Sequence, residues 1–237
     1  MDFDYLWEDG PQLKKTEGFK LSTDSVLLGN FVNCSGCKKA VDLGCASGIL
    51  TILIACRNSN ISAIGVEIDE KEAENANENI VRNELDDRCS IVCADLRQYK
   101  ELFKSGSFDI VVSNPPYFPL NSGPQSPNAD RARARGEGTC TLSDICEAAG
   151  YLCRYGGKVA LVHKPERLAE LFSSMRDNGI EPKRLRLVFK DEDSVPSLVL
   201  VEGRRGGSPG LRIEKNLYLF NKDGSDSDEI KEIYHRY

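Results

Sequence analysis

Phe108-Asp109-Ile110-Val111-Val112-Ser113-Asn114-Pro115-Pro116-Tyr117 reads as a strand that stops abruptly. Its first six residues form a mostly apolar, β-branched run, the pattern of a strand buried on both faces. Proline lacks an N–H and has a fixed φ, so Pro115 and Pro116 end that strand sharply. What remains is a stiff turn at the carboxyl end of a strand, where open α/β sheets bind ligands.

Working outward, strands and helices alternate, which predicts a parallel sheet with helices on both faces. Residues 39–43, 61–67, 89–93 and 108–113 read as strands one to four. Residues 158–163, 183–190 and 196–202 read as three more. Helices are expected over 48–57, 69–84, 141–154 and 165–178, with Ala73, Ala76, Ile80 and Val81 at roughly helical spacing in the second. A Pro/Gly/Ser/Asn-rich loop over 119–138 follows the double proline. The expected organisation is one domain: a lead and helix over 1–38, a core over 39–202, and an extension over 203–237. The acidic and then aromatic run 221–237 has no evident role in the pattern.

A chain of 237 residues can bury a full core, and its 40% hydrophobic and 29% charged residues are ordinary for a soluble protein. The start, Met1-Asp2-Phe3-Asp4, has no basic and apolar leader pattern. The apolar run Ile49–Cys56 is too short to span a bilayer, so a cytoplasmic protein without a membrane partner is expected. The sequence leaves the oligomeric state open. The nine cysteines are an odd count, and Cys45, Cys56, Cys93 and Cys153 sit in apolar runs as small hydrophobes. Cys34-Ser35-Gly36-Cys37 is a lone C-x-x-C pair, and His163 and His235 are the only histidines. A turn before the first strand is the expectation there, not a metal site.

The net charge of −6 argues against broad, sequence-independent nucleic-acid binding. The cations are nevertheless clustered. Arg131, Arg133 and Arg135 lie in the loop after the double proline. Lys183, Arg184 and Arg186 open a late strand, and Arg204-Arg205-Gly206-Gly207 reads as a flexible basic hairpin tip. Each group is expected to contact phosphates, against the plainer reading of a solvated charge cluster.

Asp42-Leu43-Gly44-Cys45-Ala46-Ser47-Gly48 lies between strand one and a helix. Small residues let the backbone turn tightly there, and a helix N-terminus presents free N–H groups. Glu67 closes strand two, 25 residues after Asp42, where a carboxylate can accept both hydroxyls of a ribose. Asp95, 28 residues further on, can accept from an adenine amino group. Asn114 offers an amide oxygen, Pro115 a free carbonyl and Tyr117 a flat face. Two acceptors and a ring can hold a planar –NH2 group, a set for which a hydride-transferring dehydrogenase has no use.

This constellation resembles class I methyltransferases that use S-adenosylmethionine (SAM) and carry an Asn-Pro-Pro-Tyr motif, across roughly residues 20–200. The resemblance implies a Rossmann-like α/β fold with a seven-stranded, mostly parallel sheet whose last strand is inserted antiparallel. It implies SAM as cofactor, held by Asp42, Gly44, Ala46, Gly48, Glu67, Asp95, Leu96 and Asn114, with Thr23 and Asp24 packing over it. Asp24 can equally cap the helix that follows. Ala46 stands where the family often has glycine, so the turn is expected to avoid positive φ there. Asn114, Pro115, Pro116 and Tyr117 are the implied catalytic motif. Tyr117, Phe118, Arg131, Arg133, Arg135, Arg204 and Arg205 are the implied substrate contacts. The whole layout, from Phe19 through Thr23-Asp24 and Leu27-Leu28 to Tyr218 and Tyr234, is similar to bacterial tRNA adenine-N6-methyltransferases that modify the adenine 3′ of the anticodon in a valine tRNA. An RNA partner, tRNA, follows from that likeness. Guanine-N2 transfer to rRNA, methylation of a protein glutamine, and a non-catalytic SAM-fold binding protein stay open as alternatives. A DNA adenine enzyme of this motif class needs a recognition domain for which 237 residues leave no room.

Overall fold

The computed structural model describes residues 3–14, 23–115 and 140–236. A short hairpin, β1 (Phe3–Tyr5) and β2 (Gln12–Lys14), precedes α1 (Thr23–Phe31). The alternating core follows: β3 (Lys39–Leu43), α2 (Ile49–Arg57), β4 (Ser62–Glu67), α3 (Glu70–Arg82) and β5 (Cys89–Cys93). After a 3-10 turn (Leu96–Gln98) come α4 (Tyr99–Leu102) and β6 (Phe108–Ser113). Then come α5 (Leu142–Leu152), β7 (Cys153–His163), a second 3-10 turn (Pro165–Arg167), α6 (Leu168–Asp177), β8 (Ile180–Phe189) and β9 (Pro196–Arg205). Two two-residue strands, β10 (Arg212–Ile213) and β11 (Leu217–Tyr218), and a last helix α7 (Asp228–Ile233) complete the described chain.

The main sheet runs β10-β8-β9-β7-β6-β3-β4-β5, with β11 also pairing with β8. β3 to β7 are mutually parallel, while β9 is antiparallel to both of its neighbours, β7 and β8. The implied antiparallel insertion of the last core strand is therefore present. The sheet has nine strands among the described residues, not seven. The extra two are too short to leave a period in the sequence, and the pairing of β10 and β11 with β8 comes from tertiary contact. The N-terminal hairpin escaped the sequence reading for the same reason.

β3, β6 and β7 are covered on both faces, which is why their residues read as near-continuous apolar runs. Alternate residues divide between two cores. Ala40, Ile110, Val112, Ala160 and Val162 pack with α1, α2 and α7. Val41, Val111, Val159 and Leu161 pack with α5 and α6. Ala73, Ala76 and Ile80 bury one stripe of α3, but Val81 is 61% exposed and lies outside it. β7 starts at Cys153, earlier than the expected 158, because Gly156 takes a positive φ of 74° within a register shift against β6. The Cys34–Cys37 stretch is a turn ahead of β3, with both thiols buried and free. The extension is not an appendage, since Ile230, Ile233 and Tyr234 are buried in the core beside α1. No helix among the described residues is long and apolar enough to cross a membrane.

Candidate active site

The carboxyl ends of β6, β3, β4 and β5 lie side by side, and hydrogen bonds stitch them together. Ser113 Oγ donates to Leu43 O at 2.6 Å, joining β6 to β3. The N–H groups of Gly44 and Cys45 both donate to Val66 O, at 2.9 and 3.0 Å. Ala46 N–H donates to Glu67 Oε2 at 2.8 Å, and Glu67 Oε1 accepts from the N–H groups of Ile68 and Asp69. Ala94 N–H donates to Glu67 O at 2.8 Å, bringing in β5.

The turn between β3 and α2 takes positive φ at alternate residues: Gly44 at 74°, Ala46 at 44° and Gly48 at 77°. The expectation that Ala46 avoids this region is wrong. Its N–H is aimed at the Glu67 carboxylate, and that charge-assisted bond offsets the ~1–2 kcal/mol that a left-handed non-glycine residue costs. A Cβ on Gly44 would meet nothing within 4 Å, so the backbone there borders open space. A Cβ on Gly48 would lie 3.2 Å from the Ala76 Cβ, so that glycine serves the packing of α2 on α3.

Asp42 is 1% exposed. Thr51 Oγ1 donates to its Oδ2 at 3.0 Å, while Oδ1 is buried with no hydrogen-bond partner. Burial pushes its carboxyl up to about 7, with the Thr51 hydrogen bonds opposing. Asn79 supports the same turn, its Nδ2 donating to Ser47 O at 2.9 Å. Asp95 caps the 3-10 turn by accepting from Arg97 N–H and is ion-paired with the Arg97 guanidinium, which holds its carboxyl below the ordinary range. The plain capping reading is thus realised, with Arg97 donating to both carboxylate oxygens. Leu96, next to it, is buried.

Asn114 is half-buried and Pro115 is buried at the end of β6. The Asn114 Nδ2 donates to Ser25 Oγ at 3.0 Å, placing α1 against the turn at the end of β6. Ser25 was not singled out by the sequence. Thr23 and Asp24 form the first turn of α1, so Asp24 favours the helix dipole from inside the helix and is not its N-cap. The side chains of Thr23 and the buried Tyr234 are hydrogen-bonded. Pro116, Tyr117, Phe118, Arg131, Arg133 and Arg135 lie outside the described residues.

Arg204 and Arg205 are not brought to this site. They end the antiparallel strand β9 and therefore sit at the amino ends of the parallel strands. Arg204 donates to Gly156 O, and Arg205 to Gly150 O and Gly179 O. They end a strand that runs on to β10 on the far side of β8, so they are no hairpin tip. Arg184 and Arg186 are also committed, to Glu202 and Glu214 and to Glu229 respectively.

Residues 21–124 match the methyltransferase small domain family. The tRNA1(Val) (adenine(37)-N6)-methyltransferase of Tolumonas auensis is 31% identical over 89% of this chain and 86% of its own length. That of Bacteroides fragilis is 30% identical over 77% of this chain and 76% of its own. This chain belongs to the tRNA1(Val) (adenine(37)-N6)-methyltransferase family. Among solved structures, a predicted O-methyltransferase from Agrobacterium tumefaciens superposes with a TM-score of 0.73 at 17% identity, over 90% of this chain and 96% of that one. Geranyl diphosphate C-methyltransferase from Streptomyces coelicolor, solved with S-adenosylhomocysteine, superposes with a TM-score of 0.57 at 14% identity, over 78% of each chain. These likenesses fix the class I methyltransferase fold. The chain is a SAM-dependent methyltransferase.

The described residues fit that cofactor. The partnerless Asp42 Oδ1, the open space over Gly44 and the Glu67 carboxylate line up along the strand ends, where a cationic amino-acid end and a ribose need acceptors.

Proposed function

We propose that this enzyme methylates the exocyclic N6 of an adenine in tRNA, next to the anticodon. The observation that carries the reading is Asn114 held at the end of β6, one strand from the turn that starts at Asp42. The substrate named for its family relatives supports the choice of adenine and tRNA.

In this reading Asp42 and the 44–48 turn hold the amino-acid end of SAM, Glu67 the ribose hydroxyls, and Asp95 and Leu96 the adenine. Thr23 and Asp24 border the same pocket. When bound, SAM supplies an electrophilic methyl group on a sulfonium, so the protein's task is positioning. An exocyclic amine is a poor nucleophile because its lone pair is delocalised into the ring. Asn114 Oδ1 and Pro115 O accept hydrogen bonds from its two N–H groups, which lets the nitrogen pyramidalise and turn its lone pair toward the methyl carbon. The same two acceptors stabilise the positive charge that develops on nitrogen. Tyr117 and Phe118 hold the base face, after the nucleotide has been turned out of its stack. No strong general base is needed, since the methylated ammonium loses its proton readily. Arg131, Arg133 and Arg135, in the loop after the turn, supply phosphate contacts.

The test is transfer from labelled SAM to unmodified tRNA, then digestion to nucleosides and mass analysis. N6-methyladenosine is expected, and Asn114→Ala should lower kcat by ~10²–10³-fold, the scale for losing one preorganised polar contact to developing charge. Label in N2-methylguanosine, or in a protein glutamine, would overturn the adenine assignment.

A further inference from the structure

An asparagine amide has nearly the same shape in its two flipped orientations, but the two differ chemically. One presents an oxygen that accepts a hydrogen bond from an amine N–H. The other presents an NH2 that would face the amine donor to donor. Nitrogen methyl transfer needs the first, so the side chain must be held in that orientation.

We infer that Ser25 is a positioning residue that anchors the Asn114 side chain at the end of β6, with its nitrogen toward α1 and its oxygen toward the reacting amine. This rests on the reading of Asn114 as the amine's acceptor. The Asn114 Nδ2 donates to Ser25 Oγ at 3.0 Å, which turns Oδ1 away from α1. Ser25 is 4% exposed, so water competes poorly for that bond and the bond is strong in its low-dielectric setting.

The helix that carries Ser25 is pinned at both ends. Near its start, the Tyr234 hydroxyl, 5% exposed, hydrogen-bonds Thr23. Near its end, the Arg57 guanidinium collects the carbonyls of Gly29, Asn30 and Val32. Between them, Val26, Leu27 and Leu28 are buried. A site supported by a locked helix holds its geometry more tightly than one on a loop. On the other side of the turn, Ser113 fixes the end of β6 to Leu43. The Asn114 backbone and its side chain are thus located by two different serines, one for place and one for orientation.

The experiment compares the full-length wild type with Ser25→Ala and Ser25→Thr in steady-state methyl transfer to tRNA. SAM binding by calorimetry and melting temperature are measured alongside. Ser25→Ala should lower kcat about tenfold, while SAM Kd and melting temperature stay near wild type. Ser25→Thr, which keeps a hydroxyl, should restore most of kcat. The Asn114 side-chain NH2 protons should also exchange faster with water in Ser25→Ala than in wild type. A purely structural role would move melting temperature and SAM Kd together with kcat, and that pattern would overturn the inference. Wild-type kcat in Ser25→Ala, with activity still lost in Asn114→Ala, would overturn it alone. No transfer by the wild type to any nitrogen acceptor would overturn both the inference and the reading beneath it.

Discussion

Asp42 shows how one residue can tie stability and cofactor binding to pH in opposite senses. Its folded carboxyl titrates at about 7, chiefly because of burial, against an unfolded value of about 3.9. Between those values the folded chain keeps a proton that the unfolded chain releases. This residue's contribution to stability is therefore fully present below about pH 4 and is lost as pH rises through about 7. Binding of a cation by the carboxylate runs the other way, because the ionised form is the one that binds. SAM affinity should rise severalfold from pH 6 to pH 8, with proton release in calorimetry near neutral pH. Asp42→Asn should remove most of that slope, and a wild-type Kd that stays flat over this range would sink the assignment. The sequence made Asp42 legible, since an acidic residue before a small-residue turn is a visible pattern. The state of Ala46 was not legible. Its positive φ is imposed by Glu67, a residue 21 positions away that closes a different strand. Ser25 was hidden for the same reason, because its partner Asn114 is 89 positions distant.

At the scale of elements, the core strands and helices were readable because each carries its own period. β3 and β6 fall where the apolar runs placed them, at Lys39–Leu43 and Phe108–Ser113. What could not be read is how a polar helix face serves as a sheet edge. Asn79 and Asn83 of the α3 segment are one helical turn apart, and their Oδ1 atoms accept from the N–H groups of Lys14 and Gln12, both at 2.8 Å. The match is geometric: four helical residues rise ~6 Å and two strand residues rise ~6.7 Å. The Asn-rich composition of 69–84 thus docks β2, and Asn79 passes the contact on through its Nδ2 to Ser47 in the turn between β3 and α2. Asn79 is 1% exposed, so removing its side chain strands the buried Ser47 carbonyl and the part-buried Lys14 N–H. Asn79→Ala should lower stability by about 2–4 kcal/mol in urea unfolding. It should also weaken SAM binding, whereas an exposed change on the same helix such as Val81→Ala should do neither. Equal SAM affinity in Asn79→Ala and wild type would show that the turn holds its shape unaided.

Strand polarity decides which cations of the whole molecule can meet a substrate, and that is a property no local window contains. Every parallel strand ends at the face that carries Asn114, but β9 starts there and ends at the opposite pole. Val199 pairs with His163 at the end of β7, and Arg204 pairs with Lys158, ~17 Å back along the strand. A sequence reading that treats Arg204-Arg205 as a basic tip misses this, because the antiparallel turn of one strand reverses the end at which its last residues lie. Toward the same pole, the first half of β8 carries Arg184, which is bound by Glu202 at 3.0 Å and Glu214 at 2.8 Å and stacks 4.3 Å over the Phe31 ring. These arginines hold the molecule together. Arg205 joins α5 to the turn before β8 through the carbonyls of Gly150 and Gly179. Because the side chain is only half-buried, its loss should cost about 1–2 kcal/mol, less than a fully buried charged donor. Arg205→Ala should therefore lower the urea midpoint and leave the KM for tRNA and its salt dependence unchanged. A phosphate contact predicts the reverse: stability near wild type, weaker tRNA binding, and a salt slope smaller by about one. The two readings of the same arginine thus separate in a single pair of measurements, and the first follows from the direction of β9 alone.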